Sequence, residues 1–405
     1  MLKNKIYLVT LLVLVTVMPW NATAFNRGDH IAAKISGHFV SNQIEDLLAA
    51  SLTAVTAGQF DQAIQSLDKL ISVAPNFKLA HLVKGDLLMA RAQRFQGFGS
   101  PSPNSEDVSG YREEARKRLE RHFAKDLSNQ IPSAVWQLDD TQQYVFIVDA
   151  EQSRLFVYRN ENNAPKYVTD FYITIGKNGS EKKSQGDKRT PLGVYFTQTQ
   201  LKQKLADMYG DAAYPLSYPN EWDQHQGKTG NGIWLHGTPS DTYSRPPQSS
   251  DGCIVLSNQD LKTLSPILQQ GNIPVIVSKN TEWSKEDNAS KEKESLMKSI
   301  EQWRTDWESQ ATDRYLTHYA NAFFSDGMNL KQWADYKRKI QASKPNVDIK
   351  LTNISAFNYP NSGQQMVVVT FDQSFRSNAL NNKMRKRQYW IFENQNWKII
   401  YEGSA

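Results

Sequence analysis

GIWLHGTP, residues 232–239, and SSDGCIVL, residues 249–256, decide how this chain is read. The second stretch holds Cys253, the single cysteine among 405 residues, and the first holds His236. One cysteine cannot make an intrachain disulfide, so the thiol is either a small buried apolar residue or a free reactive group. A thiol attacks as the thiolate, and an imidazole within reach can take its proton and later hand it to a leaving amine. Gly252 leaves the backbone beside the thiol open, so N–H groups there can face an oxyanion. Taken alone, His236 reads equally well as a hydrogen-bonded structural histidine.

The rest of the sequence narrows the choice. MLKNKIYLVTLLVLVTVMPWNATAF opens with Lys3 and Lys5 before an apolar run from Ile6 to Met18, then Ala22-Thr23-Ala24. That is the pattern of a secretory signal peptide, and the run is shorter than the roughly 20 residues of a bilayer span. Residues 1–24 are therefore set apart from the fold, and the expected location is the periplasm or cell envelope. Exported proteins use cysteines mainly in disulfides, which a lone thiol cannot form. The net charge of +5 is spread along the chain. It suits a polyanionic neighbour such as a cell wall and does not argue for nucleic acid. No GxSxG elbow, HExxH pair, CxxC, Walker loop or dinucleotide fingerprint occurs, which leaves serine hydrolase, zincin, redox and nucleotide chemistry without support.

At this length two or three domains are expected, and the periodicity divides the chain accordingly. Residues 25–131 are read as a helical scaffold: from Ile44 to Gln93 apolar residues recur at helical spacing, with Ala57, Phe60, Ala63 and Leu67 as a contact stripe, Pro75 as a stop and Ala80 in the next helix. The unit resembles one tetratricopeptide-type repeat or an ordinary helical hairpin, and it must pack on a flanking helix at Arg112–Phe123 or on another chain. FQGFGSPSPNSEDVSG is read as a loop. Over residues 132–280 the period becomes 2, predicting a mainly-β domain with a hairpin turning at Ala150–Ser153 and a helix N-capped by Ser257. Residues 281–296 read as a linker. From 297 to 405, Trp303, Trp307, Tyr315, Tyr319 and Phe323 suggest one aromatic helix face, Leu330–Ile340 a second amphipathic stretch, and strands follow, the last broken by an Asn-Gln-Asn turn. This α+β arrangement resembles the cone-shaped nuclear-transport-factor-like modules.

The two motifs together resemble the His-Gly and Ser-x-Gly-Cys signature of the L,D-transpeptidase (YkuD-type) catalytic domain. Gly186, Asp187, Thr190, Pro191 and Gly193 match its lead-in, and the resemblance covers about residues 142–278. It implies a β-sandwich-like core acting on peptidoglycan stem peptides without metal or cofactor. By that resemblance Cys253 is the nucleophile, His236 the general base, and Gly237 the carbonyl that orients the imidazole. Ser250 is the motif serine, and the N–H groups around Gly252 and Cys253 bind the oxyanion. Cys253 would attack the third residue of a tetrapeptide stem and release D-Ala, leaving a thioester. The acceptor is left open: the amine of a second stem gives a 3-3 cross-link, a lipoprotein lysine gives an anchored protein, and water makes the enzyme an L,D-carboxypeptidase. Members with this three-part layout act as trimming enzymes in cell-shape control, whereas the motif by itself favours transpeptidation. An inactive wall-binding scaffold is the reading from another class.

Two departures stand out. Many members carry Arg two positions after the cysteine; here it is Val255, so substrate anchoring must come from elsewhere, with Arg189 and Arg245 as candidates. Asp251 beside the nucleophile would oppose thiolate formation if it faced inward. Trp234 lines the peptide groove or packs beneath it. Tyr209, Tyr214, Tyr218 and Trp222 are candidates for a lid, and His225 is read as an exposed loop histidine rather than a second base. The flanking modules would position substrate or partners, or build a homodimer.

Overall fold

The computed structural model describes residues 38–92, 106–124, 126–284, 290–342, 347–378 and 380–405, so the leader reading lies outside the described residues. Four helices begin the fold: α1 (His38–Thr56), α2 (Phe60–Val73), α3 (Lys78–Arg91) and α4 (Glu106–His122). Ala63, Leu67 and Leu70 of α2 close against Ile44 and Leu48 of α1 and Leu79, Ala80 and Val83 of α3. Ala57 leaves the expected stripe: it lies in the turn where Gly58 takes φ +72°. Residues 95–105 of the expected loop lie outside the described residues, and its last five, Glu106 to Gly110, are helical, since α4 starts at Glu106. Val108, Tyr111, Ala115 and Leu119 recur at helical spacing and pack on the module, which outweighs the polar composition of that segment.

The central region runs β1 (Ile131–Pro132), β2 (Val135–Gln137), β3 (Tyr144–Asp149), β4 (Arg154–Glu161), β5 (Ala164–Tyr172), β6 (Ile175–Gly176), β7 (Gly193–Phe196), β8 (Ala213–Pro215), α5 (Glu221–His225), β9 (Trp234–His236), β10 (Gln248–Ser250), β11 (Ile254–Val255), α6 (Asn258–Leu268), β12 (Pro274–Ser278) and β13 (Trp283–Ser284). Its main sheet has the order β5-β4-β3-β12-β7, and a smaller sheet has the order β11-β9-β8. The turn at 150–153 forms where expected, with Ser153 at φ +53°. Ser257 caps α6 by accepting from the Asp260 N–H. Residues 145–149 do not alternate in burial, because both faces of the main sheet are covered. Phe146 and Val148 face the core shared with Leu235, Ile254 and α6, while Val145 and Ile147 face the C-terminal sheet.

That last region contains α7 (Ser290–Glu308), α8 (Thr312–Leu316), β14 (Tyr319–Ser325), β15 (Met328–Asn329), α9 (Leu330–Ala342), β16 (Asp348–Asn358), β17 (Met366–Arg376), β18 (Asn381–Glu393) and β19 (Asn396–Ser404). The single aromatic helix face is corrected here. The helix stops at Glu308, and Tyr319 and Phe323 sit on a strand, yet all five aromatics still meet in one core. The seven-stranded sheet takes β2 as its terminal strand, and β1 pairs with β13 across the segment read as a linker. That segment is shorter than expected, since α7 already begins at Ser290. Tyr359, Met366, Val368, Tyr389 and Ile391 of the C-terminal sheet form one continuous core with Val145, Ile147, Phe156 and Tyr158.

Candidate active site

Strand register puts Cys253 and His236 on one face. β9 and β11 pair in parallel, with Val255 opposite His236 and Ile254 opposite Leu235. Side chains alternate along a strand, so Cys253, two residues before Val255 and just outside β11, continues the face on which His236 stands. Val255 is 2% exposed and brings no charge to the site.

His236 Nδ1 lies 2.7 Å from its neighbour's carbonyl, Gly237 O. A carbonyl can only accept, so Nδ1 carries the proton and Nε2 is left with the lone pair. The imidazole is buried, which drives it down to about 4 against the pull of the Gly237 and Tyr209 carbonyls, with Arg245 adding to the depression. It is neutral near pH 7 and able to accept. Gly237 has no room for a side chain: a Cβ there would fall 1.9 Å from Asn258 Oδ1. Asn258 in turn accepts from the Asp211 N–H at 3.0 Å and donates to Thr238 O at 2.8 Å, tying the segment after the histidine to α6.

The Cys253 thiol is partly exposed and donates to Gly232 O at 3.4 Å. Loss of water raises it to about 11, helped by Asp251, while the Trp234 N–H, Arg245 and Lys182 pull the other way. Thiol and imidazole therefore rest as a neutral pair. Asp251 is exposed and pairs with Lys177 at 3.3 Å, while its charge is still felt at the thiol.

The turn at the nucleophile is tightly built. Ser250 Oγ donates to Cys253 O at 2.7 Å and accepts from the Gly252 N–H at 3.1 Å. The Gly252 N–H, one of the expected oxyanion donors, is thus committed to Ser250. Gly252 adopts φ +124°, and a Cβ would meet Arg189 O at 2.8 Å. Thr190 Oγ1 holds this approach, donating to Gly252 O at 3.0 Å and accepting from the Gly176 N–H at 2.9 Å. The Gly-Asp landmark has a job of its own. Asp187 binds the buried Lys182 at 2.7 Å and receives the Lys183, Ser184 and Arg189 N–H groups, which outweigh burial and hold it at about 2.

The two candidate anchors separate. Arg189 is exposed and directs Nη1 to Ser180 O, leaving its backbone as the part that packs on the turn. Arg245 is half-buried, donates to Ser249 O at 2.8 Å, and its charge is felt at both His236 and Cys253. Sequence reasoning missed Lys182, whose charge also reaches the thiol. Of the four lid candidates, Tyr209 lies beside the site. Tyr209 lies 4.9 Å from Trp234 and 5.2 Å from His236 by ring centroids. Tyr214, Tyr218 and Trp222 are buried instead, their rings serving the core. His225 is exposed as expected, but it ends helix α5 rather than lying in a loop, and it stacks 3.8 Å from Phe324 of the C-terminal region.

A family model described as the L,D-transpeptidase catalytic domain matches residues 142–277, and one described as the Cds6 C-terminal NTF2-like domain matches residues 295–403. Among solved structures, Bd1075 of Bdellovibrio bacteriovorus is 28% identical with a TM-score of 0.59, over 68% of this chain and 98% of that one. The helical cell shape determining protein Pgp2 of Campylobacter jejuni is 25% identical with a TM-score of 0.56, over 70% and 97%. No curated protein matches the chain. Residues 142–277 belong to the L,D-transpeptidase catalytic domain family and are joined, behind an N-terminal helical module, to a C-terminal NTF2-like domain.

Proposed function

We propose that the protein is a cysteine acyl-transfer enzyme of the cell envelope that cleaves the terminal D-Ala from peptidoglycan tetrapeptide stems. The observation that carries this reading is the pairing, on one sheet face, of the family's cysteine with a neutral imidazole whose Nδ1 is locked to Gly237 O. Cys253 leaves the Gly232 carbonyl and attacks the carbonyl of the third residue as Nε2 of His236 takes its proton. The Cys253 N–H steadies the oxyanion, and the imidazolium then protonates the departing D-Ala amine. A thioester on Cys253 remains. Arg245 supplies a cation at the site that Val255 does not, and we assign it to a substrate carboxylate.

Water is the acceptor favoured here, making the enzyme an L,D-carboxypeptidase. The likeness to a cell shape determining protein over most of both chains supports trimming of the wall rather than cross-linking. Transfer to the amine of a second stem is the alternative that the catalytic family itself carries. The leader at residues 1–24 supports export to the periplasm. A carbapenem, as an acylating mimic of the stem, tests the nucleophile. Intact mass should rise by one carbapenem on the wild type and stay unchanged on Cys253→Ala, and a wild type without adduct contradicts the reading.

A further inference from the structure

Helix α4 lies far from Cys253 in sequence, yet two of its side chains, one turn apart, converge on the segment that carries Arg245. Glu114 is fully buried, and its Oε1 accepts from Ser244 Oγ at 2.6 Å and from Arg118 Nε at 3.0 Å. Arg118, itself 3% exposed, is further fixed by Glu45 of α1 and lies 3.9 Å above the Tyr172 ring. The Tyr172 hydroxyl donates to Arg245 O at 3.0 Å, and Thr174 Oγ1 donates to the same oxygen at 3.0 Å. Either side of Arg245 is thus tied, through a short chain of buried groups, to the helical module.

The same module grips the segment just upstream. The Tyr243 N–H donates to Asn76 O at 3.2 Å, its ring packs 4.9 Å from Phe77, and Asn76 Nδ2 donates to Ser240 O at 3.1 Å. Lys78 pairs with Asp241 at 3.0 Å. Ser240, Asp241, Tyr243 and Ser244, between the histidine and cysteine motifs, are thus laid on helices from another part of the chain. A long cationic side chain on an unbraced segment would lose much of its positional precision, whereas buried, mutually satisfied hydrogen bonds fix a single arrangement.

We propose that the helical module is a positioning element of the active site: Glu114, through Ser244, and Arg118, through Tyr172, set the place from which Arg245 receives a substrate carboxylate. The inference rests on the reading of Cys253 as an accessible nucleophile beside Arg245, and goes beyond it by giving the helices a part in substrate recognition. All four bracing residues are buried and act through Arg245.

The test uses Cys253 itself as reporter and needs no turnover. Full-length wild type, Arg245→Ala, Ser244→Ala, Tyr172→Phe and the Ser244→Ala/Tyr172→Phe pair are alkylated with iodoacetate, a carboxylate, and with neutral iodoacetamide, and adducts are followed by mass spectrometry. The ratio of the two rates removes differences in thiol reactivity. Arg245→Ala should lower the iodoacetate-to-iodoacetamide ratio about tenfold, the bracing pair about three- to tenfold, and adding the pair to Arg245→Ala should lower it no further. A ratio unchanged by the bracing pair, or a loss that multiplies with that of Arg245→Ala, overturns the bracing. A ratio unchanged by Arg245→Ala overturns the role of the arginine. Thermal unfolding of each variant separates displacement of Arg245 from loss of fold. If the ratios behave as stated while tetrapeptide is not turned over, the positioning stands and the proposed reaction falls.

Discussion

His236 Nδ1 sits 2.7 Å from Gly237 O, the carbonyl of the very next residue, so the orienting group of the site is backbone rather than a carboxylate. A carbonyl fixes the tautomer without adding negative charge, and the imidazole accordingly rests near 4 rather than being drawn upward by an anion. The consequence is a site whose acid and base are both uncharged at rest.

The pH profile should show this. His236 is protonated only below about 4 and Cys253 ionises only near 11, so kcat/KM for the stem peptide should be level through the neutral range. It should fall as pH drops through about 4, because an imidazolium cannot take the thiol proton. Alkylation by iodoacetamide should climb steadily from pH 7 toward 11. A thiolate that is fully formed at pH 7 would contradict the neutral pair.

Asp187 gives a separate acid-side effect on stability. Its carboxyl is held at about 2 in the folded chain against the ordinary 3.8, so its contribution is complete above the ordinary value and is lost as pH falls from about 4 to about 2. Lys182→Ala removes its ammonium partner, leaves a half-buried anion, and should cost about 3 kcal/mol in urea unfolding at pH 7. That cost should shrink as pH approaches 2.

Gly252 and Gly237 are where small substitutions do the most harm. Gly252→Ala meets both φ +124° and a carbonyl 2.8 Å away, and should destabilise by about 1–3 kcal/mol while displacing Cys253. Gly237→Ala drives Asn258 off its two hydrogen bonds and should lower kcat more than it raises KM, since the imidazole rather than the groove is disturbed. Steady-state kinetics on soluble variants separates the two effects.

The C-terminal domain grips the segment that leads toward the site. Glu221 accepts from Arg387 at 3.0 Å and from the Tyr389 hydroxyl at 2.8 Å, and Asn220 donates to Tyr359 at 2.9 Å. The chain from here leads to Gly232, the carbonyl that holds the thiol. Glu221→Ala leaves two largely buried donors without their acceptor and should cost about 1–3 kcal/mol, read as a lower Tm, whereas exposed Lys350→Ala should leave Tm unchanged.

Much of this was legible in the sequence, for identifiable reasons. The hairpin at 150–153, the Ser257 cap and the β17–β19 meander depend on neighbours a few residues apart, and local patterns carry them. The catalytic family of residues 142–277 was legible because two short motifs with coupled landmarks point to it, and strand register then sets His236 and Cys253 on one face. What stayed hidden depends on distant partners. Tyr319 and Phe323 keep helical spacing with Trp303 but belong to a strand, because several aromatics converging on one core need not share an element. Residues 145–149 read as alternating, and only the C-terminal sheet on the far face explains why none is exposed. Arg189 and Arg245 were equal candidates on paper; the turn around Gly252 claims the backbone of one, and the segment laid on α4 brings the other to the thiol. Lys182 gave no signal beyond being one of several lysines in a polar stretch.

The most direct test incubates the protein, and Cys253→Ala, with purified disaccharide-tetrapeptide and reads the products by mass spectrometry. The account predicts disaccharide-tripeptide and free D-Ala from the wild type, no cross-linked dimer, and no product from the variant. Dimer in place of tripeptide would mean an amine rather than water reaches the thioester, and equal turnover by Cys253→Ala would contradict the mechanism at its centre.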